Sequence, residues 1–150
     1  MAKRTIAPAA LCCAALIALS GSALADCVKV SKANLRQGPG TGYAKSWEVY
    51  EFMPLKKIGE KGDWLQVVDV DGDKHWVHSS LLSDGIKCAV VKGDKINVRL
   101  GPGTNFAKSP LSPVEKYYSF KVVETQGAWV KVQDEVFNEG WIAKSLLWMQ

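Results

Sequence analysis

After residue 26 the apolar positions fall in short runs bounded by glycine, proline and aspartate. Alternation of apolar and polar residues over four to eight positions marks a half-buried β-strand. On this basis strands are predicted over 27–30, 47–52, 55–60, 64–70 and 74–78. Asp71-Gly72 separates the last two and carries the turn chemistry of a tight hairpin. Residues 79–82 read as a short helical turn that closes the first unit. Further strands are predicted over 89–91, 117–124, 129–133 and 140–143. The pattern is all-β.

These strands belong to a repeat. Asn34-Leu-Arg-Gln-Gly-Pro-Gly-Thr-Gly-Tyr-Ala-Lys-Ser46 returns as Asn97-Val-Arg-Leu-Gly-Pro-Gly-Thr-Asn-Phe-Ala-Lys-Ser109. Gly62-Asp-Trp-Leu-Gln-Val67 returns as Gly127-Ala-Trp-Val-Lys-Val132, and His75-Trp-Val-His-Ser-Ser-Leu-Leu82 as Gly140-Trp-Ile-Ala-Lys-Ser-Leu-Leu147. The offset drifts from 63 to 65 residues, so small insertions separate the copies. A period this long is too large for a solenoid unit and suits two tandem globular modules. The expected boundaries are 26–84 and 85–150, with Asp84-Gly85 as a very short junction that holds the modules close.

The order of motifs resembles the bacterial SH3 (SH3b) family. Its signature is N-x-R-x-G-P-G, then G-x-W-x-x-V, then G-W-V followed by a polar pair and leucines. The resemblance covers nearly all of the chain after residue 26, twice over. The first copy departs from it at His75, where the family usually has glycine. The resemblance implies two tandem small SH3-like β-barrels. It also implies noncatalytic binding, since members are often joined to cell-wall hydrolases and often bind peptidoglycan or peptides.

Residues 1–25 read as a secretory signal peptide. Lys3 and Arg4 form a positive end, Ile6 to Leu19 an apolar run, and Ala23-Leu24-Ala25 a small-x-small cleavage pattern. The run falls short of the roughly 20 apolar residues of a spanning helix, and Pro8 and Ser20 interrupt or bound it. A lipoprotein leader is the alternative, because Cys27 lies near the cut. Asp26 stands where such leaders need a small residue. The mature chain is expected to be exported to the periplasm or beyond, with no transmembrane segment. Cys12 and Cys13 would leave with the leader. Cys27 and Cys88 would remain, each opening the first strand of its module. An oxidising compartment favours a Cys27–Cys88 disulfide; the alternative is one buried thiol in each barrel. Each module has only about 60 residues, a size that is marginal alone, so packing of one barrel on the other is expected to add stability.

Charge narrows the partners. The first module has 8 basic and 9 acidic residues, the second 9 and 6. The second module is thus better suited to an anionic partner. Neither carries the concentrated basic stripe of a nucleic-acid binder.

Candidate binding residues come from the repeated positions. Tyr43 and Phe106 follow the Gly-Pro-Gly turns and can be ligand platforms or lids on their own barrels. Trp64 and Trp129 lie on the strand face opposite Leu65, Val67, Val130 and Val132, which makes them candidates for a binding surface. Trp76 and Trp141 are expected to pack under the Gly-Pro-Gly loops. Arg36 and Arg99 suit the carboxylates of peptidoglycan stem peptides. The structural alternative is that Asn34 and Asn97 bond turn backbone while each arginine pairs with an acidic neighbour. Trp47, whose place is taken by Pro110 in the other copy, and Trp148 have no counterpart, which suggests a role outside the shared core, such as between the modules.

Other chemistry finds little support. His75 and His78 are three apart in a strand and face opposite ways. Asp69-Val-Asp-Gly-Asp73 resembles a calcium loop only in part: its glycine comes too early, and Ser80 stands where a bidentate glutamate is needed. It is read as a plain acidic hairpin. No nucleophile, phosphate loop or metal set is apparent, and no enzyme activity or cofactor is expected. The functional expectation is recognition of peptidoglycan, specifically its peptide portion. The alternative is a periplasmic adaptor that binds a peptide or a partner enzyme. If the leader is cleaved as read, mass spectrometry of the exported protein will find Asp26 at its amino terminus. A chain still carrying residues 1–25, or lipid on Cys27, would overturn that reading.

Overall fold

A computed structural model describes residues 25–149. The expected leader, with Cys12 and Cys13, lies outside the described residues except for its last residue, Ala25, which begins β1. Strands β1 (Ala25–Val28), β2 (Lys32–Arg36), β3 (Lys45–Tyr50), β4 (Pro54–Lys61), β5 (Trp64–Val68), β6 (Lys74–His78) and β7 (Leu82–Ser83) form one sheet in the order β3-β2-β6-β5-β4-β1-β7. Strands β8 (Cys88–Val91), β9 (Ser119–Gln126), β10 (Trp129–Gln133), β11 (Glu139–Ala143) and β12 (Leu147–Met149) form a second, ordered β11-β10-β9-β8-β12. All strand pairs are antiparallel. Single 3-10 turns at Ser79–Leu81 and Lys144–Leu146 lead into the last strand of each sheet. Among the described residues no helix is long and apolar enough to cross a membrane.

Each sheet wraps its own core. Val28, Leu35, Val49, Leu55, Val67 and Val77 are fully buried in the first. Val91, Val98, Phe120, Val130, Val132 and Ile142 are fully buried in the second. The alternation of the predicted strands placed Val67, Val77, Val130, Val132 and Ile142 on inward faces, and all five are fully buried. Strand β2 was not predicted as a strand, because its residues read as part of the turn motif. Ala33 and Leu35 nevertheless point inward while Lys32 and Asn34 stay exposed.

Several predicted ends shift for local reasons. The first strand starts at Ala25 and stops at Val28, two residues short of its predicted end. Residues 47–52 were expected to be one strand, but the chain turns at Phe52, where φ is 66°. Residues 117–124 were expected to start at Tyr117, where φ is 71°, so that strand begins at Ser119. A positive φ cannot continue a strand. Strand β5 ends at Val68 because the buried Asp69 turns inward and accepts the N–H groups of Asp71 and Asp73, both at 2.9 Å. Asp134 does the same for Val136 and Asn138 in the second module.

The second module has only isolated bridges where β2 and β3 would be, Ile96 to Val114 and Arg99 to Lys108. Pro110 and Pro113 fall in the segment that corresponds to β3. Proline has no N–H to give to a ladder.

The modules join through β8, all four of whose residues are buried. Ala89 and Val91 face the second core. Val90 belongs to the first core, and Trp148 of β12 packs against it. Cys88 is bonded to Cys27, with Cα atoms 6.1 Å apart. Phe52 and Ile86 cover this bond. The Ser119 hydroxyl donates to the Glu51 carbonyl at 2.7 Å. The expected Cys27–Cys88 pairing is therefore present, but not at equivalent positions: Val28 pairs with Leu82 as Val91 does with Leu147, so Cys27 matches Val90 and Cys88 lies two residues earlier in its strand.

A bond spanning 61 residues removes much of the unfolded chain's freedom, which stabilises the fold by about 2–4 kcal/mol. Cys27→Ala/Cys88→Ala is expected to lower the denaturant midpoint by the equivalent amount. Unchanged midpoints for oxidised, reduced and doubly substituted protein would show that the bond does not hold the modules together.

Candidate functional site

The repeated Gly-Pro-Gly loops have the same geometry in both modules. Arg36 ends β2, and its Nη1 donates to the Tyr43 carbonyl at 2.8 Å. Arg99 Nη1 donates to the Phe106 carbonyl at 2.9 Å. Each arginine thus closes its loop through a carbonyl, not through the acidic neighbour that the structural alternative expected. Among the described residues no hydrogen bond from the Asn34 or Asn97 side chain is found. Each aromatic ring folds back over the first glycine of its turn. A Cβ on Gly38 would lie 2.3 Å from the Tyr43 ring, and one on Gly101 would lie 2.3 Å from the Phe106 ring. Only a glycine allows this approach. The rings remain 50% and 42% exposed, so one face is seated and the other is open.

Strand register places the tryptophans. Arg36 pairs with Trp76, and Trp76 with Gln66, so these side chains share the outer face. Trp64 pairs with His78 on that face, two residues or about 7 Å farther along the strand. Its ring meets His78 edge-on at 5.4 Å. In the second module Arg99 bridges to Trp141, which pairs with Lys131, and Trp129 pairs with Ala143. Trp141 is buried at 8% exposure, whereas Trp76, Trp64 and Trp129 are half-buried. The structure therefore joins Arg36 to Tyr43 and Arg99 to Phe106 directly. Trp64 and Trp129 share the outer face without reaching those loops.

The two histidines are spent on structure. His75 is buried between Asp69, 3.0 Å from Nε2, and the Ser46 hydroxyl, 2.7 Å from Nδ1. His78 Nδ1 accepts the Ser80 N–H at 3.2 Å and caps the following turn. Gly140 replaces His75 in the second module because a Cβ there would lie 2.3 Å from Val98 Cγ1.

A second feature lies between the modules. A groove of about 620 Å³ has an apolar lining of Trp47, Tyr50, Met53, Tyr117 and Tyr118. Trp47 meets Tyr117 edge-on at 5.1 Å, which accounts for its lack of a counterpart in the repeat. Asp71, at the first hairpin tip, reaches across to Lys116 at 2.9 Å and accepts the Tyr117 hydroxyl. The Tyr117 hydroxyl and then Lys116 hold the Asp71 carboxyl below its ordinary 3.8, and Asp71 together with Tyr117 raises the Lys116 ammonium. Glu48, Glu51, Glu115 and Glu135 rim the groove. Burial, with Glu135 and Asp134 beside it, pushes the Tyr118 phenol above its ordinary 10.0. Sequence reasoning found Trp47 here but missed Tyr50, Tyr117, Tyr118 and the glutamates. Their one sequence signal was the departure from the repeat at Trp47.

Comparison with known proteins fits this duplicated architecture. The bacterial SH3 domain family matches residues 29–84 and again 92–149. This chain belongs to that family. A Bacillus subtilis (strain 168) protein named for N-acetylmuramoyl-L-alanine amidase activity, YrvJ, is 28% identical over 126 residues. That alignment takes in 77% of this chain but 24% of the relative, so the chain spans about a quarter of the relative's length. A crystal structure of an NlpC/P60 family protein from Bacillus cereus ATCC 10987 aligns with 84% of this chain and 56% of its own. It does so at 11% identity with a TM-score of 0.39, a likeness too weak to bear on function. Among the described residues of this SH3 pair no catalytic domain is evident.

The seated rings make a direct test. Gly38→Ala is expected to displace the Tyr43 ring and to cost about 1–3 kcal/mol. Gly42→Ala meets nothing within 4 Å, and its stability should stay within about 0.5 kcal/mol of the parent. Equal denaturant midpoints for the two variants would show that Tyr43 is not seated on Gly38.

Proposed function

We propose that this chain is a noncatalytic binding protein of the cell envelope, exported, which recognises the peptide portion of peptidoglycan. The observation that carries this reading is the loop geometry present twice: a guanidinium bonded to the backbone carbonyl of a residue whose aromatic ring has one open face. A guanidinium has five N–H donors, and the carbonyl bond uses one nitrogen of Arg36 or Arg99. The remaining donors suit a stem-peptide carboxylate, and the open face of Tyr43 or Phe106 suits its apolar groups. A wall polymer repeats the same epitope, so two similar sites on one rigid chain gain avidity beyond either alone. Membership of the bacterial SH3 family and similarity to a protein named for amidase activity support binding related to the cell wall.

Co-sedimentation with purified sacculi tests this. The protein is expected to pellet with intact wall and to lose binding once an amidase has removed the stem peptides. Tyr43→Ala/Phe106→Ala is expected to weaken sedimentation at least about tenfold, with the circular dichroism spectrum unchanged. Sedimentation no better than a control protein, or retained after amidase treatment, would defeat the proposal.

A further inference from the structure

The inter-module groove differs from the loop sites in charge and in geometry. Strand β3 is the terminal strand of the first sheet. Five consecutive residues, 47–51, line the groove. Alternate side chains of a strand point to opposite faces, so a groove lined by five in a row runs along the strand's edge.

The backbone at that edge has unpaired groups. The Tyr50 carbonyl is itself already paired, accepting from the Met53 N–H at 3.2 Å, but its direction away from β2 sets the phase of the ladder. Hydrogen-bonded and non-bonded pairs alternate along an antiparallel ladder. Val49, opposite Ala33, therefore carries the groups that face β2, and Glu48, opposite Asn34, carries groups that face outward. An edge of this kind is a template for another strand.

The charges select the occupant. Glu48 is already paired with Lys32 at 2.9 Å and Lys45 at 3.2 Å. Lys116, a cation of the groove lining, is held by Asp71. Glu51, Glu115 and Glu135 have no ion-pair partner among the described residues, so the rim is left with three uncompensated carboxylates. The carboxylates of a stem peptide are repelled by this rim. Lysine or arginine side chains on an extended chain are attracted to it, while alternate apolar side chains meet Trp47 and Tyr117.

We propose that the groove receives a basic, extended segment of a partner protein, which adds as a strand to the outer edge of β3. The second module offers no equivalent edge, because Pro110 and Pro113 interrupt it, so one segment binds per chain. This goes beyond the peptidoglycan reading and does not depend on it.

The probe is acetyl-Val-Lys-Val-Lys-Val-Lys-amide, titrated into the full chain by calorimetry and by amide chemical shifts. The expected result is binding with the largest shifts at Glu48 and Tyr50. The glutamate analogue, and a form N-methylated at alternate residues, should each bind at least about tenfold more weakly. Glu51→Gln/Glu115→Gln/Glu135→Gln should weaken the lysine peptide roughly tenfold at low salt, with the gap closing as salt rises. Its sedimentation with sacculi should be unchanged, which separates failure here from failure of the wall-binding proposal. Four outcomes would overturn the inference: no binding, equal affinity for the lysine and glutamate peptides, indifference to N-methylation, or shifts outside the groove. So would sedimentation velocity showing a dimer whose second copy fills the groove.

Discussion

Strand β8 is buried on both of its faces, and the relation between the modules depends on that. A strand alternates its side chains, so four consecutive buried residues must serve two cores. Ala89 and Val91 close the second barrel. Val90 completes the first, and Cys88 bonds to Cys27 of the strand that occupies the matching place there. A barrel of this size hides too little apolar surface to be secure alone. Sharing one wall gives each module surface that it lacks. It also fixes Trp47, Asp71 and the edge of β3 against Tyr117 and Lys116.

The repeat explains what is conserved between the modules and what is free to differ. Asp69 and Asp134 perform one task, turning a buried carboxylate onto the N–H groups of a hairpin. The hairpin tips they support have diverged. The first presents Asp71 to the second module. The second presents Val136 and Phe137, which are 66% and 79% exposed. Gly72 has φ 88° at the first tip, and Phe137 adopts φ 68° at the second. An identical backbone thus carries different surface chemistry.

Electrostatics divides the surface in the same way. The loop sites offer guanidinium groups, Arg36 and Arg99, held in place by backbone carbonyls. The groove offers carboxylates that no neighbouring cation neutralises. A ligand suited to one would be repelled by the other, so the two proposed sites would not compete for one ligand.

Local chemistry made much of the architecture legible in the sequence. Period-two alternation gave most of the strands and their inward faces, because burial of one sheet face forces that pattern. Asn34 to Ser46 and its copy gave the two modules. Tyr43 and Phe106 stood out because their place after Gly-Pro-Gly was kept. What was missed is non-local. Phe52 and Tyr117 were read into strands, because apolar character cannot reveal a positive φ. Strand β2 was hidden within a turn motif. Trp47 was flagged by its missing counterpart, but Tyr117 lies 70 residues away in sequence, and no local pattern pairs them. The sequence by itself determined the strands, the duplication and the loop aromatics, since each follows from neighbours along the chain. Only the tertiary structure decided the groove and its charge. Both arise where two separately coded modules meet, and whether a glutamate finds a lysine there depends on packing across that seam.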